Sequence, residues 1–169
     1  GGAHNVFREV GLKIAIPVAF CDIGKGAVAV LVAQRILEVP IYEPNIFVLF
    51  AALAAIAGHV WSVYLKFRGG NGLSVTIGAL AILMPWELLI AVCLLLVFII
   101  FTRNLVLSTN LGLLSVPISA WLEDKSWLLV GFSTAVAIML VIHFIPTAKA
   151  ALVKAGSKES LVSGLLRKD

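Results

Sequence analysis

Six apolar blocks separated by short polar connections set the pattern of this chain. They run over about Gly11–Leu37, Asn45–Leu65, Gly72–Met84, Glu87–Thr102, Leu105–Leu122 and Trp127–Ile145. A helix that crosses a hydrocarbon core of about 30 Å needs about 20 mostly apolar residues, so blocks of this kind predict membrane spans. The third block is short and opens at a cluster of glycines, which predicts a helix that is tilted or partly sunk into the protein. Pro17, Pro85 and Pro117 mark kinks or ends, which neighbouring helices in a bundle accommodate. The expected fold class is all-α, a polytopic transmembrane helix bundle. Residues 1–147 are expected to form one membrane domain and residues 148–169 a polar tail.

Composition agrees with the pattern. Of 169 residues, 61% are apolar and only 13% charged, against about a quarter charged in a soluble domain. Mean hydropathy is +1.08. The two cysteines, Cys21 and Cys93, fall inside apolar blocks. They are expected to be small buried core residues, not a disulfide or a metal site. The chain opens GGAHNVFREVG, without the charged start and apolar run of a signal peptide. It has no initiator Met, and an opening in mid-loop raises the expectation that residues upstream, a whole span among them, precede it.

Charge then orients the spans. One set of connections and ends carries Arg8, Lys13, Lys66, Arg68, Arg103, Lys149, Lys154, Lys158, Arg167 and Lys168. The other carries Glu38, Glu43, Glu87, Glu123 and Asp124, with Lys125 its only clear base. The two sets alternate through all six blocks, and the positive-inside rule places the first in the cytoplasm. The net charge of +4 reads as membrane orientation and gives no reason to expect a nucleic-acid partner.

The segment Gly58–Gly72, GHVWSVYLKFRGGNG, carries the clearest chemistry. Lys66 and Arg68 bracket Phe67, and Gly69, Gly70 and Gly72 follow with only Asn71 between them. Glycines permit positive φ and close approach to a ligand, and successive amides can then form an anion-binding concavity. If Gly72 opens the next helix, the positive end of that helix faces the same anion. His59 lies seven residues before Lys66, about two helical turns, and so on the same face. A basic loop anchoring helix ends at headgroups accounts for Lys66 and Arg68. It does not account for three glycines in four residues.

Inside the first block, Asp22 and Lys25 are three apart and can pair on one helix face. Ionisable groups within a span mark functional sites by default, and Gly24 and Gly26 are expected to leave space beside Lys25. A pair that merely locks the helix to its neighbours is the competing reading. Further candidates are ordinary one by one: His4, Asn5 and Arg8 before the first span, Arg103, then Ser108, Thr109 and Asn110, and His143. Topology gathers the basic ones at one face, which suits a doubly anionic substrate.

In combination these motifs resemble the PlsY-type acyl-phosphate:glycerol-3-phosphate acyltransferases over roughly residues 1–120. The residues that carry the resemblance are GGAHNVFREVG, then D-x-x-K-G at 22–26, GH…FRGGNG at 58–72, and Arg103 with Ser108 and Thr109. The family has seven membrane helices with its active site at the cytoplasmic face, so the six blocks here would be its second to seventh. It transfers an acyl chain from acyl phosphate to the 1-position of glycerol 3-phosphate, giving lysophosphatidic acid. The resemblance implies glycerol 3-phosphate, acyl phosphate and membrane lipids as partners, and no cofactor or metal. It implies Asn5, Arg8, Lys25, His59, Arg103 and Ser108 as reaction-centre residues. It implies Gly2, Lys66, Arg68, Gly69, Gly70, Asn71 and Gly72 as phosphate-binding residues, with Asp22, Thr109 and His143 nearby.

Several positions depart from the family pattern. His4 replaces a threonine, Asn71 replaces the second lysine of F-K-G-G-K-G, Val106 replaces a serine, and only His143 survives of the tail motif H-R-E-N. Two other readings therefore stand beside the enzyme: a relative that binds a phosphate-bearing lipid without turning it over, and a small anion transporter. The outer halves of the blocks are almost wholly apolar, which weighs against a transporter.

Overall fold

The computed structural model of the chain describes residues 11–41, 43–67, 69–103 and 105–155, and among these every regular element is helical. The helices are α1 (Leu12–Ile36), α2 (Ile46–Val60), α3 (Leu73–Leu83), α4 (Pro85–Thr102), α5 (Leu105–Leu113), α6 (Ser115–Leu122) and α7 (Trp127–Ala155), with a 3₁₀ turn at Val63–Leu65. Three are long and apolar enough to cross a membrane: Leu12–Ile36, Pro85–Thr102 and the Trp127–Ile145 part of α7. The expected all-helical membrane architecture is what the chain forms.

Local chemistry explains most helix ends. Asn45 caps α2, its side chain accepting from the Phe47 amide at 2.9 Å, and so satisfies a donor the helix leaves unpaired. Met84 leaves the helical region because a proline follows it, and that Pro85 opens α4, where its missing N–H costs nothing. α5 and α6 are the expected fifth span, interrupted at Leu114. Pro117 has no N–H to offer the Leu113 carbonyl, and the Ser115 hydroxyl donates back to the Gly112 carbonyl at 2.6 Å.

The second span is shorter than its hydrophobicity predicts. It was expected to reach Leu65, but α2 stops at Val60. The chain then loops out and returns, so that the Gly69 amide donates to the Val60 carbonyl and the Gly70 amide to the His59 carbonyl, both at 3.1 Å. Those bonds satisfy the carbonyls at the end of α2. Lys66 therefore does not continue the His59 face of a helix; it sits in a left-handed conformation, φ 52° and ψ 46°, beyond the 3₁₀ turn.

The chain divides into two compact units, residues 11–85 with 126–132, and residues 86–125 with 133 onward. In the first, α1 packs chiefly on α3 and also on α2. The α1–α3 contact is backbone on backbone. A Cβ at Gly26 would overlap the Val75 carbonyl oxygen and lie 2.9 Å from the Ala79 nitrogen, and one at Gly78 would overlap the Ile23 carbonyl oxygen. Small residues at such crossings are how apolar helices associate where no hydrophobic force separates protein from lipid. Gly26 is thus filled by α3 and leaves no space for Lys25; of the two glycines flanking that lysine, only Gly24 faces open space.

In the second unit Gly112 brings α5 against α4, where its Cβ would lie 2.6 Å from the Ala91 carbonyl oxygen. The buried Glu87 carboxylate lies 3.4 Å from Lys125, which also reaches Glu123 at 3.7 Å. The exterior is apolar, with Phe20, Ile36, Phe47, Ile100 and Phe101 all exposed. Trp61, Trp86, Trp121 and Trp127 are exposed at helix ends, the place of interfacial aromatic residues in membrane proteins. Cys21 and Cys93 are free and exposed, not core residues as expected. In an apolar exterior, a small thiol is as well accommodated facing lipid as facing the core.

Candidate active site

Within the first unit the site is built around one buried carboxylate. Asp22, on the inner face of α1, is 3% exposed. Its Oδ1 lies 3.0 Å from Lys25 Nζ, one turn along the same helix, and 3.6 Å from His59 Nδ1 at the end of α2. Its Oδ2 is buried without a hydrogen bond among the described residues. Lys25 is mostly exposed, so the pair joins a buried anion to a cation that still reaches solvent. Taken alone such a pair stabilises little. As an arrangement, it sets an ammonium group against the same carboxylate oxygen that faces His59 at the end of α2.

His59 also anchors the glycine loop, through its backbone. Gly70 donates to the His59 carbonyl, and a Cβ on Gly69 would overlap that same carbonyl oxygen. Gly69 is therefore required by close packing of the returning chain, and the Gly69 and Gly70 amides are committed to α2. Gly72, with φ 76°, is the N-cap of α3 and no side chain caps that helix. The amides of the first turn, Leu73 to Val75, have no intrahelical partner by geometry, and the helix dipole adds a positive field there. The backbone donors left available to an anion are therefore at the start of α3, since the Gly69 and Gly70 amides already donate to α2. Asn71 is half-buried between them, and Lys66 is exposed.

The second unit holds the other candidates. Arg103 ends α4 with φ 51°, its amide donating to the Ile99 carbonyl at 3.0 Å, the αL termination of a helix; its side chain is exposed. Ser108 is fully buried and Thr109 nearly so. The Ser108 hydroxyl lies 2.6 Å from that of Thr102, across the α4–α5 turn. His143 is half-buried on α7. The sequence reading passed over Thr102; its one visible signal is a lone hydroxyl at the last position of an otherwise apolar block. Gly2, Asn5, Arg8 and Arg68, like His4, lie outside the described residues. Among the described residues no cluster of three or more His, Cys, Asp or Glu has the arrangement of a metal site.

The glycerol-3-phosphate acyltransferase family profile matches residues 1–153. That span covers nearly the whole chain. The chain belongs to the glycerol-3-phosphate acyltransferase family. Among its relatives, glycerol-3-phosphate acyltransferase 2 of Dehalococcoides mccartyi is 40% identical over 92% of this chain and 72% of its own length. Glycerol-3-phosphate acyltransferase 1 of the same organism is 34% identical over 85% of this chain and 70% of its own. Crystal structures of PlsY (YgiH), an integral membrane glycerol 3-phosphate acyltransferase, in its glycerol 3-phosphate and lysophosphatidic acid forms, superpose with TM-score 0.80. They are 21% identical to this chain, covering 90% of it and 74% and 76% of the solved chains. The acyltransferase fold is therefore shared, and the chain is a multi-pass membrane protein.

Proposed function

We propose that the chain transfers an acyl group from acyl phosphate to the 1-hydroxyl of glycerol 3-phosphate, giving lysophosphatidic acid and inorganic phosphate. The observation that carries this reading is the double role of His59. Its imidazole meets Asp22, which holds Lys25, while its carbonyl holds Gly70 and with it the entry to α3. One residue thus joins a cation to a set of amide donors, which is what two phosphates meeting in one site require.

In the proposed reaction the 1-hydroxyl oxygen attacks the acyl carbonyl carbon, the bond from that carbon to the phosphate oxygen breaks, and inorganic phosphate leaves. The hydroxyl proton passes to a substrate phosphate oxygen, since no side chain stands out as general base. The start of α3, with Gly72 and Asn71, would receive the acyl-phosphate phosphate, and Lys25, Arg8 and Arg103 would clamp phosphate. Lys66 and Arg68 would add positive charge at the loop. The family resemblance also gives Ser108, Thr109 and His143, and Gly2 and Asn5 of the first loop, parts in this reaction. The charge pattern of the connections supports an active site on the cytoplasmic side, with residues 148–169 as a polar tail there.

Phosphate release from acyl phosphate tests the proposal. Release that depends on added glycerol 3-phosphate, and equals the lysophosphatidic acid formed, supports it. Tight binding of both substrates without release would support the relative that binds and does not turn over, which Asn71 in place of the usual lysine favours.

A further inference from the structure

The excursion between α2 and the glycine loop has a construction that acyl transfer does not require. It leaves the helix at Trp61 and is closed at its base by the Gly69–Val60 and Gly70–His59 backbone bonds. It is closed again inside, where the Phe67 amide donates to the Ser62 carbonyl at 2.9 Å and the Lys66 amide to the Val63 carbonyl at 3.1 Å. A loop with this much internal bonding holds its shape. Its tip nevertheless presents apolar side chains outward: Tyr64 is 98% exposed, Val63 71% and Phe67 64%. An aqueous loop gains nothing from that display, which costs hydrophobic free energy on the order of 25 cal/mol per Å² left in water.

We propose that residues 61–67 are a membrane-interface finger, seated in the boundary between lipid headgroups and acyl chains beside the glycine loop. Three observations commit it to lipid. Phe47, Phe50, Ala54, Gly58 and Trp61 form an exposed stripe along α2 at helical spacing, and Val63 and Tyr64 continue directly from its end. The finger therefore prolongs an exposed and almost wholly apolar surface of the helix that precedes it. Its residue types are those of an interfacial anchor: a tryptophan and a tyrosine with apolar neighbours and a base. Lys66, exposed at the same tip, complements anionic headgroups, while its aliphatic stem can lie along the apolar side chains.

The finger fixes a depth. Because its base is bonded to the last carbonyls of α2, seating it in the interface holds the start of α3 at headgroup level, where a phosphate carried on an acyl chain resides. The anchor itself does not depend on the proposed reaction, and its test needs no turnover.

A nitroxide placed by Tyr64→Cys, in the Cys21→Ala/Cys93→Ala background, reads the depth of the finger in vesicles of phosphatidylethanolamine and phosphatidylglycerol. Position 64 is fully exposed, so the label displaces nothing. The ratio of oxygen to water-soluble nickel-chelate collisions is expected to exceed severalfold that at the connecting-loop position labelled by Glu43→Cys. It is expected to fall when Val63 and Phe67 are both changed to serine. Chelate access at position 64 equal to that at position 43 would overturn the proposal. So would spin–spin broadening that survives dilution in lipid, which would mean that a second copy covers the finger. Protection that appears only on adding long-chain acyl phosphate would overturn it too, because the surface would then be a substrate clamp and not a bilayer anchor.

Discussion

The carboxylate of Asp22 ties the imidazole of His59 to α1 across 3.6 Å. Since the His59 backbone also holds Gly70, this contact connects the ion pair of the first span to the loop that opens α3. Asp22→Asn keeps the shape and removes the charge. The variant weakens the hydrogen bond that Lys25 donates to Asp22 at 3.0 Å, and because hydrogen bonds to charged groups contribute about 1.5–3 kcal/mol it is expected to lose about tenfold to a hundredfold in kcat/KM for glycerol 3-phosphate. Thermal unfolding should shift little by comparison, because Asn still donates and accepts at the site. An unchanged kcat/KM would make the pair a helix lock.

The two glycines beside Lys25 should behave oppositely. Gly26→Ala drives a methyl into the α3 backbone, and overpacking of this kind costs about 1–3 kcal/mol. Gly24→Ala meets nothing within 4 Å and should stabilise the helix by roughly 0.5–1 kcal/mol. Unfolding midpoints of both variants in one detergent check the contrast; equal shifts would contradict the described α1–α3 crossing.

The hydroxyls of Thr102 and Ser108, 2.6 Å apart, should be energetically coupled. A double-mutant cycle with Thr102→Val and Ser108→Ala is expected to give a coupling of about 0.5–1.5 kcal/mol in unfolding free energy. Strict additivity would mean that the two hydroxyls do not share a bond.

Asn71 stands where the family's usual lysine is absent, half-buried next to the α3 N-cap. Asn71→Lys should add a phosphate cation and tighten the donor by roughly 1–3 kcal/mol. If the contact is made equally in ground and transition states, the gain appears in KM and not in kcat. Unchanged or weaker donor binding would show that another cation already serves that place.

The hydrophobic pattern located α1, α3 and α4 to within one or two residues, because each is bounded by a change in polarity or by a glycine or proline. It failed at α2. Trp61, Val63, Tyr64, Leu65 and Phe67 prolong the apolar run although the helix ends at Val60, and nothing in periodicity reveals a loop that returns to its own helix end. The Asp22–Lys25 pair was legible because three-residue spacing decides it locally. Its third member, His59, was legible only as a candidate, since the contact joins two helices. The glycines were noticed without their packing role: Gly69 lets the returning chain pass close to the end of α2, and Gly26 lets α3 approach α1 instead of leaving space beside Lys25. That distinction depends on which chain segment passes nearby, which a single sequence does not display.

The central claim is tested most directly by supplying the purified protein with labelled glycerol 3-phosphate and, in parallel, acyl phosphate or acyl-CoA of one chain length, and identifying the product. The account predicts labelled 1-acyl lysophosphatidic acid from acyl phosphate and little or none from acyl-CoA. Absence of labelled lysophosphatidic acid with either donor, in a sample that binds glycerol 3-phosphate, would contradict it.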